Sequence, residues 1–369
     1  MATAGLVRLA AAVAALLLVA TAAPPAGAQP IGVEGVLATV VAADGLAGAV
    51  AAVRHGDDVT AASAGYADVE AGTTFVPDTR VRVASITKTF VAAAILQLVG
   101  EGRVDLDASV EEYLPGLLRG TGIDGDAVTV RRLLRHQSGL PEYYGAETEP
   151  LTGPVAPRDL VARALARPAA DPSPAVAIYT NTNYVVAGLL LESVTGRPAA
   201  EEITRRIIVP LGLTHTYFPA PGERWLRAPM AHGYETVGGE RLDVTDGEPS
   251  DEYTAGSLIS TSEDTAAFVT ALLAGRVVAA PELAQMMDTV AWPLHGPGFR
   301  YGLGLVGIDL DCGVTVWGHS GDLAGYHSIM VAAPGRPAVS ATFTQGSPGV
   351  RTLADDPRAK VLAATYCPG

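Results

Sequence analysis

Between Phe90 and Val99 the chain carries an almost unbroken apolar helix. Phe90, Val91, Ala94, Ile95, Leu98 and Val99 recur at helical spacing, and Gly100 and Gly102 end the run. A helix with no polar face to offer water must be surrounded by the rest of the fold. The residues that open it, Ser85-Ile86-Thr87-Lys88, are then carried toward the interior as well. Lys88 and Lys360 are the only lysines among 25 basic residues, so arginine is this chain's ordinary cation. A lysine is hard to replace where the amine must shed a proton, because guanidinium does not deprotonate in proteins.

Ser85 and Lys88, at i and i+3, share one helix face, so Nζ can reach Oγ. Burial and the positive helix N-terminus both disfavour the ammonium form and push the lysine toward acting as a base. A free backbone N–H at the same helix start can donate to a developing oxyanion. The pair therefore predicts acyl transfer from a serine nucleophile that needs no histidine triad. The competing reading is a capping serine beside a surface lysine.

The first 28 residues read as a signal peptide. Arg8 precedes an apolar run from Leu9 to Ala23, too short to span a bilayer comfortably, and Ala26-Gly27-Ala28 offers a small-residue cleavage site before Gln29. No later run of 18 or more apolar residues follows, and no cysteine lies near the cleavage site. The expectation is a secreted, extracellular protein without a stable membrane anchor. A net charge of -14 argues against nucleic acid as a partner. Cys312 and Cys367 are the only cysteines, and an even pair in a secreted chain predicts one disulfide. Two inert buried thiols are the alternative.

Residues 48–83 read as two or three strands leading into Ser85. Helical stretches are expected near 128–135, 158–167, 183–195 and 199–208, and another within Leu258–Leu273. Strand character returns in Tyr301–Leu310, Val314–Trp317, Tyr326–Ala332 and Val339–Phe343, before a last helix over Val350–Thr365. Strands at both ends around a helical middle predict an α/β fold of the α+β type: one antiparallel sheet flanked by helices. Residues 29–103 and 256–369 would form the sheet region, with 104–255 a mostly helical insertion.

Two further elements carry chemistry. Tyr179-Thr180-Asn181 is expected on a loop just ahead of a helix beginning near Asn183. A phenol near a lysine can relay a proton, and an amide can hold a substrate amide while steadying the lysine. Capping by Asn181 and Asn183, with Tyr179 a core aromatic, is the bland alternative. His319-Ser320-Gly321 is expected at the close of an edge strand, where a glycine lets substrate backbone approach and pair. The N–H of Asp322 could complete an oxyanion hole with that of Ser85. By itself, a histidine at a strand end is more often structural.

Together and in this order these elements resemble the serine β-lactamase and penicillin-binding-protein superfamily. Within it the chain is most similar to secreted D-alanyl-D-alanine carboxypeptidases of the class C β-lactamase type. The similarity also takes in His136-Gln137-Ser138-Gly139-Leu140 and Tyr301-Gly302-Leu303-Gly304-Leu305. The resemblance implies a β-lactamase/transpeptidase-like fold, Ser85 as nucleophile, Lys88 as its base and Tyr179 as proton relay. It further implies that Asn181 holds substrate and that His319, Ser320 and Gly321 mark the strand lining the site. It predicts action on peptidoglycan stem peptides, with β-lactamase, esterase or a non-catalytic penicillin-binding module as alternatives. The serine chemistry needs no metal or organic cofactor, and a monomer is the default expectation, since nothing in the sequence reads out oligomeric state. Two departures stand out. Val306 follows the Tyr-Gly-Leu-Gly-Leu segment where those carboxypeptidases carry an arginine for the substrate carboxylate, and Ser320 replaces a threonine.

Three other signals lead nowhere. Gly302, Gly304 and Gly307 spell Gly-x-Gly-x-x-Gly, but more strand follows where a dinucleotide site needs a helix. No Gly-x-Ser-x-Gly elbow occurs, and the histidines lack zinc-binding spacing.

Overall fold

The computed structural model describes residues 32–120, 122–145, 153–170, 173–347 and 356–367. Eight of its strands join in one antiparallel sheet: β1 (Gly48–His55), β2 (Asp58–Gly65), β3 (Val290–Ala291), β4 (Phe299–Tyr301), β5 (Val306–Asp309), β6 (Thr315–Leu323), β7 (Tyr326–Ala332) and β8 (Ala338–Phe343). Their order is β2-β1-β8-β7-β6-β5-β4-β3, which sets the first two strands beside the last. Five helices position the site: α1 (Val33–Asp44), α2 (Thr87–Gly100), α3 (Asn181–Thr195), α4 (Ser262–Leu273) and α5 (Pro357–Tyr366).

Alternation along the strands feeds two apolar cores, one on each face of the sheet. In β1, Ala49 and Ala51 belong to one core, while Val50 and Ala52 belong to the other. The first core gathers Leu37 and Val40 of α1 with Val361 and Leu362 of α5. The second is built around α2, with α3 and α4 against it. From Thr87 to Leu96 every residue of α2 is buried, and Phe90 stacks on Phe268 of α4 with ring centroids 3.6 Å apart. The almost unbroken apolar run thus lies at the centre of the fold. Truncating a side chain as enclosed as Leu96, 0 % exposed, costs about 2–5 kcal/mol.

The observed elements differ from expectation in four places. Tyr301–Leu310 is two strands, because residues 302–305 turn against α2. Gly304 has φ +68°, and a Cβ there would lie 2.5 Å from Ala92 Cβ and 3.0 Å from the Lys88 carbonyl. The turn stops β5 at Val306, opposite Gly318 of β6. β6 itself runs on to Leu323, so His319, Ser320 and Gly321 lie inside a strand and not at its close. β6 is also not an edge strand, although among the described residues its 319–323 half pairs only with β7. Third, α3 begins at Asn181, which therefore sits in the first helical turn and not on a loop. Fourth, the last helix begins at Pro357, and residues 350–355 of the expected span lie outside the described residues.

Between β2 and β3 the regular structure is mainly helical, joined by long loops, with further segments at Val130–Leu134, Pro157–Leu165 and Ala199–Ile203. It also holds a hairpin, Tyr234–Val237 with Glu240–Asp243. Cys312 and Cys367 are bonded, with Cα atoms 5.8 Å apart, tying the end of α5 to the β5–β6 turn. The expected signal peptide lies outside the described residues, among which no helix is long and apolar enough to cross a membrane.

Candidate active site

The nucleophile turn is clamped from both sides. Upstream, Val81 and Arg82 pair with Ile259 and Ser260, and the Arg82 guanidinium donates to the carbonyls of Arg224, Thr245 and Gly247. Ala84 then takes a left-handed conformation, φ +48°, costing a non-glycine residue about 1–3 kcal/mol that the surroundings must supply. Ala84–Ile86 forms a short 3-10 turn, which the Thr87 hydroxyl closes by donating to the Ala84 carbonyl at 2.7 Å. From the other side β6 presses in. A Cβ on Gly321 would fall 2.2 Å from the Val83 carbonyl and 3.1 Å from the Ser85 nitrogen. Only glycine lets the strand backbone come this close to the serine.

Lys88 is 0 % exposed, and its Nζ has three partners. These are Ser85 Oγ at 2.9 Å, Asn181 Oδ1 at 2.8 Å and the Ala255 carbonyl at 2.7 Å. The amide oxygen and the carbonyl can only accept, so they take two N–H bonds. A neutral amine then keeps one lone pair, aimed at the one partner that can donate, the serine hydroxyl. Burial drives the lysine well below its ordinary 10.5, against the opposing pull of Glu252 and Glu142. Burial thus brings the base form within reach near neutral pH, and the contact geometry leaves Ser85 as the proton donor to it.

Tyr179 stands across the serine, with Lys88 Nζ 4.9 Å from its ring centroid. Although Tyr179 borders the cleft, burial pushes the phenol well above 10, with the Ser85 hydroxyl pulling the other way. It is therefore protonated at neutral pH and not a resident phenolate. Asn181 spends its backbone N–H on Glu142 Oε2 at 2.7 Å and its side-chain oxygen on Lys88.

His319 is 1 % exposed, and its Nε2 pairs with the Tyr301 hydroxyl at 2.9 Å while Nδ1 faces the Ser320 carbonyl. Burial, reinforced by Lys88, drives it down to about 3, so it is neutral. Asp322 stays ionised: burial opposes this, but His327 and Arg358 hold its carboxyl at about 2. Val306, at the position where the resemblance places an arginine, is 2 % exposed and packs into the sheet core.

These groups meet in a cleft of about 200 Å³ lined by Ser85, Tyr179, Asn181, Trp292, His295, His319, Ser320 and Asp322. The three motifs, 234 residues apart from Ser85 to His319, thus converge on one cavity. Sequence reasoning missed Trp292 and His295, which form a wall with ring centroids 3.8 Å apart. It also missed Glu142 and Glu252. Glu252 accepts from the Tyr144 hydroxyl at 2.7 Å, and burial raises its pKa. No short-range spacing announces these four, because each reaches the site from a loop far along the chain. Among the described residues no group of three or more His, Cys, Asp or Glu side chains is placed to hold a metal.

Residues 33–365 match a protein-family model described as Beta-lactamase. The chain is 29% identical over 323 residues to penicillin-binding protein 4 of Amycolatopsis lactamdurans, covering 83% of this chain and 82% of that one. A D-stereospecific amidohydrolase from Streptomyces superposes with a TM-score of 0.79 at 36% identity, over 91% of this chain and 98% of that one. The D-amino acid amidase of Ochrobactrum anthropi SV3, complexed with L-phenylalanine amide, gives the same TM-score at 27% identity, over 90% and 97%.

Proposed function

The chain belongs to the β-lactamase family, and on that footing we propose that it cleaves amide bonds through an acyl-enzyme on Ser85. The observation that carries this reading is the contact set of Lys88: two fixed acceptors and the serine hydroxyl. Lys88 takes the Oγ proton as Oγ bonds to the substrate carbonyl carbon, and the backbone N–H groups of Ser85 and Asp322 receive the oxyanion. Tyr179 gives its proton to the leaving amine as the C–N bond breaks, and recovers one from the Lys88 ammonium. Water then attacks the ester with the same pair as base, releasing the acid and restoring Ser85.

For the leaving group, charge in the cleft is the guide. Among the described residues lining it none is a fixed cation, while Asp322 is an ionised carboxylate and His295 is held neutral by burial. A substrate bearing a free carboxylate beside the scissile bond finds no fixed cation there. We therefore favour small D-amino-acid amides or peptides without that carboxylate, as the amidohydrolase and amidase relatives suggest. D-alanyl-D-alanine carboxypeptidase or transpeptidase action is the second reading, favoured by the penicillin-binding relative. The disulfide suits an oxidising compartment, in keeping with secretion.

A panel of D-phenylalanine amide, a D-Ala-D-Ala peptide, a cephalosporin and a short-chain aryl ester separates these. The amide should be turned over with kcat/KM about ten- to a hundredfold above the peptide, the usual cost of an unpaired charged group. Preference for the peptide would support the carboxypeptidase, preference for the cephalosporin a lactamase, and no turnover of any substrate a binding module.

A further inference from the structure

The segment from His136 to Glu142 grips the Tyr179-Thr180-Asn181 motif at many points. Gln137 Nε2 donates to the carbonyls of Ser173 and Pro174, Thr182 Oγ1 donates to the Pro141 carbonyl, and the Asn181 N–H donates to Glu142. His136 sits at the centre of this grip and uses both its backbone and its ring. Its carbonyl accepts the Ile178 N–H at 2.8 Å. Its Nδ1 faces the Thr180 N–H at 3.3 Å and the Asn183 amide nitrogen at 3.0 Å, and its ring lies 4.2 Å from that of Tyr179. A backbone N–H can only donate, so Nδ1 is the acceptor and the ring proton belongs to Nε2. That Nε2 is buried and hydrogen-bonds to nothing among the described residues. The ring is fully enclosed, between Tyr179, Tyr184 and Tyr301, and does not line the cleft.

With Nε2 unpaired in an aromatic nest, Nδ1 carries all the polar contacts of the His136 ring among the described residues. We propose that His136 is a positioning residue for Tyr179, its Nδ1 tying down the backbone one residue beyond the phenol while its ring sets the tilt of the phenol ring. Its left-handed backbone, φ +57°, narrows what could replace it. Asparagine tolerates that conformation and offers Oδ1 where His136 offers Nδ1, whereas phenylalanine keeps a ring but offers no acceptor. The role rests on the acyl-enzyme reading, in which Tyr179 protonates the leaving group.

The test uses the full chain and a short-chain aryl ester, with thermal unfolding recorded for each variant. His136→Phe should lower kcat by about a hundredfold with KM little changed, the effect of a catalytic group displaced by about 1 Å. His136→Asn should recover kcat to within about fivefold of wild type. If His136→Asn folds with an unchanged midpoint yet loses kcat as His136→Phe does, the positioning role is overturned. Should His136→Phe fail to fold, the asparagine variant still decides. Histidine ring nitrogen-15 spectra of the wild type give an answer independent of turnover. A neutral His136 protonated at Nε2 supports the clamp, and protonation at Nδ1 overturns it. A wild type that neither turns over nor becomes acylated would instead defeat the acyl-enzyme reading, leaving the tautomer to decide the clamp.

Discussion

Lys88 Nζ donates to Asn181 Oδ1 at 2.8 Å, joining residues 93 positions apart across the interface of α2 and α3. The bond fixes where the amine points and keeps its lone pair for Ser85. It also makes the charge at position 181 a control on the lysine. Asn181→Asp would place a carboxylate beside Nζ and stabilise the ammonium. The neutral amine prevails only above the lysine's pKa, so the acidic limb of the kcat/KM profile should move to higher pH, and activity at neutral pH should fall by about tenfold or more. A limb that stays in place would mean that Lys88 does not set it.

Glu252 gives the opposite shift. Its carboxylate raises the Lys88 pKa through space, and burial has already raised its own. Glu252→Gln removes the negative charge while keeping an acceptor for Tyr144, so the acidic limb should move to lower pH. Two substitutions near one amine with opposite shifts would be hard to explain by general damage. The pH profiles of the two variants, measured on one substrate, check this directly.

Gly321→Ala should abolish turnover with a clear loss of stability. The added Cβ meets the Val83 carbonyl at 2.2 Å, and both partners are backbone, so neither can swing aside. Overpacking of this kind costs about 1–3 kcal/mol or more, and the displaced strand carries Asp322 away from Ser85. Calorimetry with an activity assay tests it. A variant with wild-type midpoint and rate would show that β6 can retreat without consequence.

Much of this site is legible in the sequence because its strongest signals are local. The apolar period of α2 and the serine three residues before a rare lysine need only a short window to be read. That one antiparallel sheet forms is legible from strand-like segments such as Tyr326–Ala332 and Val339–Phe343, although its eight strands and their order are not. What escaped depends on distant contacts. Whether β6 offers a free side at His319–Gly321 is decided by where β5 stops, and Gly304 against Ala92 of α2 decides that. Glu142 and Glu252 lie 110 residues apart and act on Lys88 only after folding, so no spacing rule could single them out. His136 was visible only as part of a family-like segment, and its use as an acceptor for Thr180 appears only once α3 is in place.

The Cys312–Cys367 bond should contribute about 2–4 kcal/mol, since it closes a separation of 55 residues in the unfolded chain. Reduction, or the double Cys312→Ser and Cys367→Ser variant, should lower the unfolding midpoint without changing kcat/KM below it. The bond lies at the end of α5 and the β5–β6 turn, outside the cleft lining. An unchanged midpoint would mean that the closure contributes nothing.

The central claim is that a neutral Lys88 activates Ser85 to form a covalent acyl-enzyme. Intact-mass measurement after brief exposure to an activated aryl ester and to a fluorescent penicillin, with the labelled peptide mapped, tests it most directly. The wild type should gain one acyl group on Ser85, Ser85→Ala none, and Lys88→Arg almost none despite keeping the positive charge. Full labelling of Ser85→Ala, or labelling of Lys88→Arg within a few-fold of the wild-type rate, would contradict it.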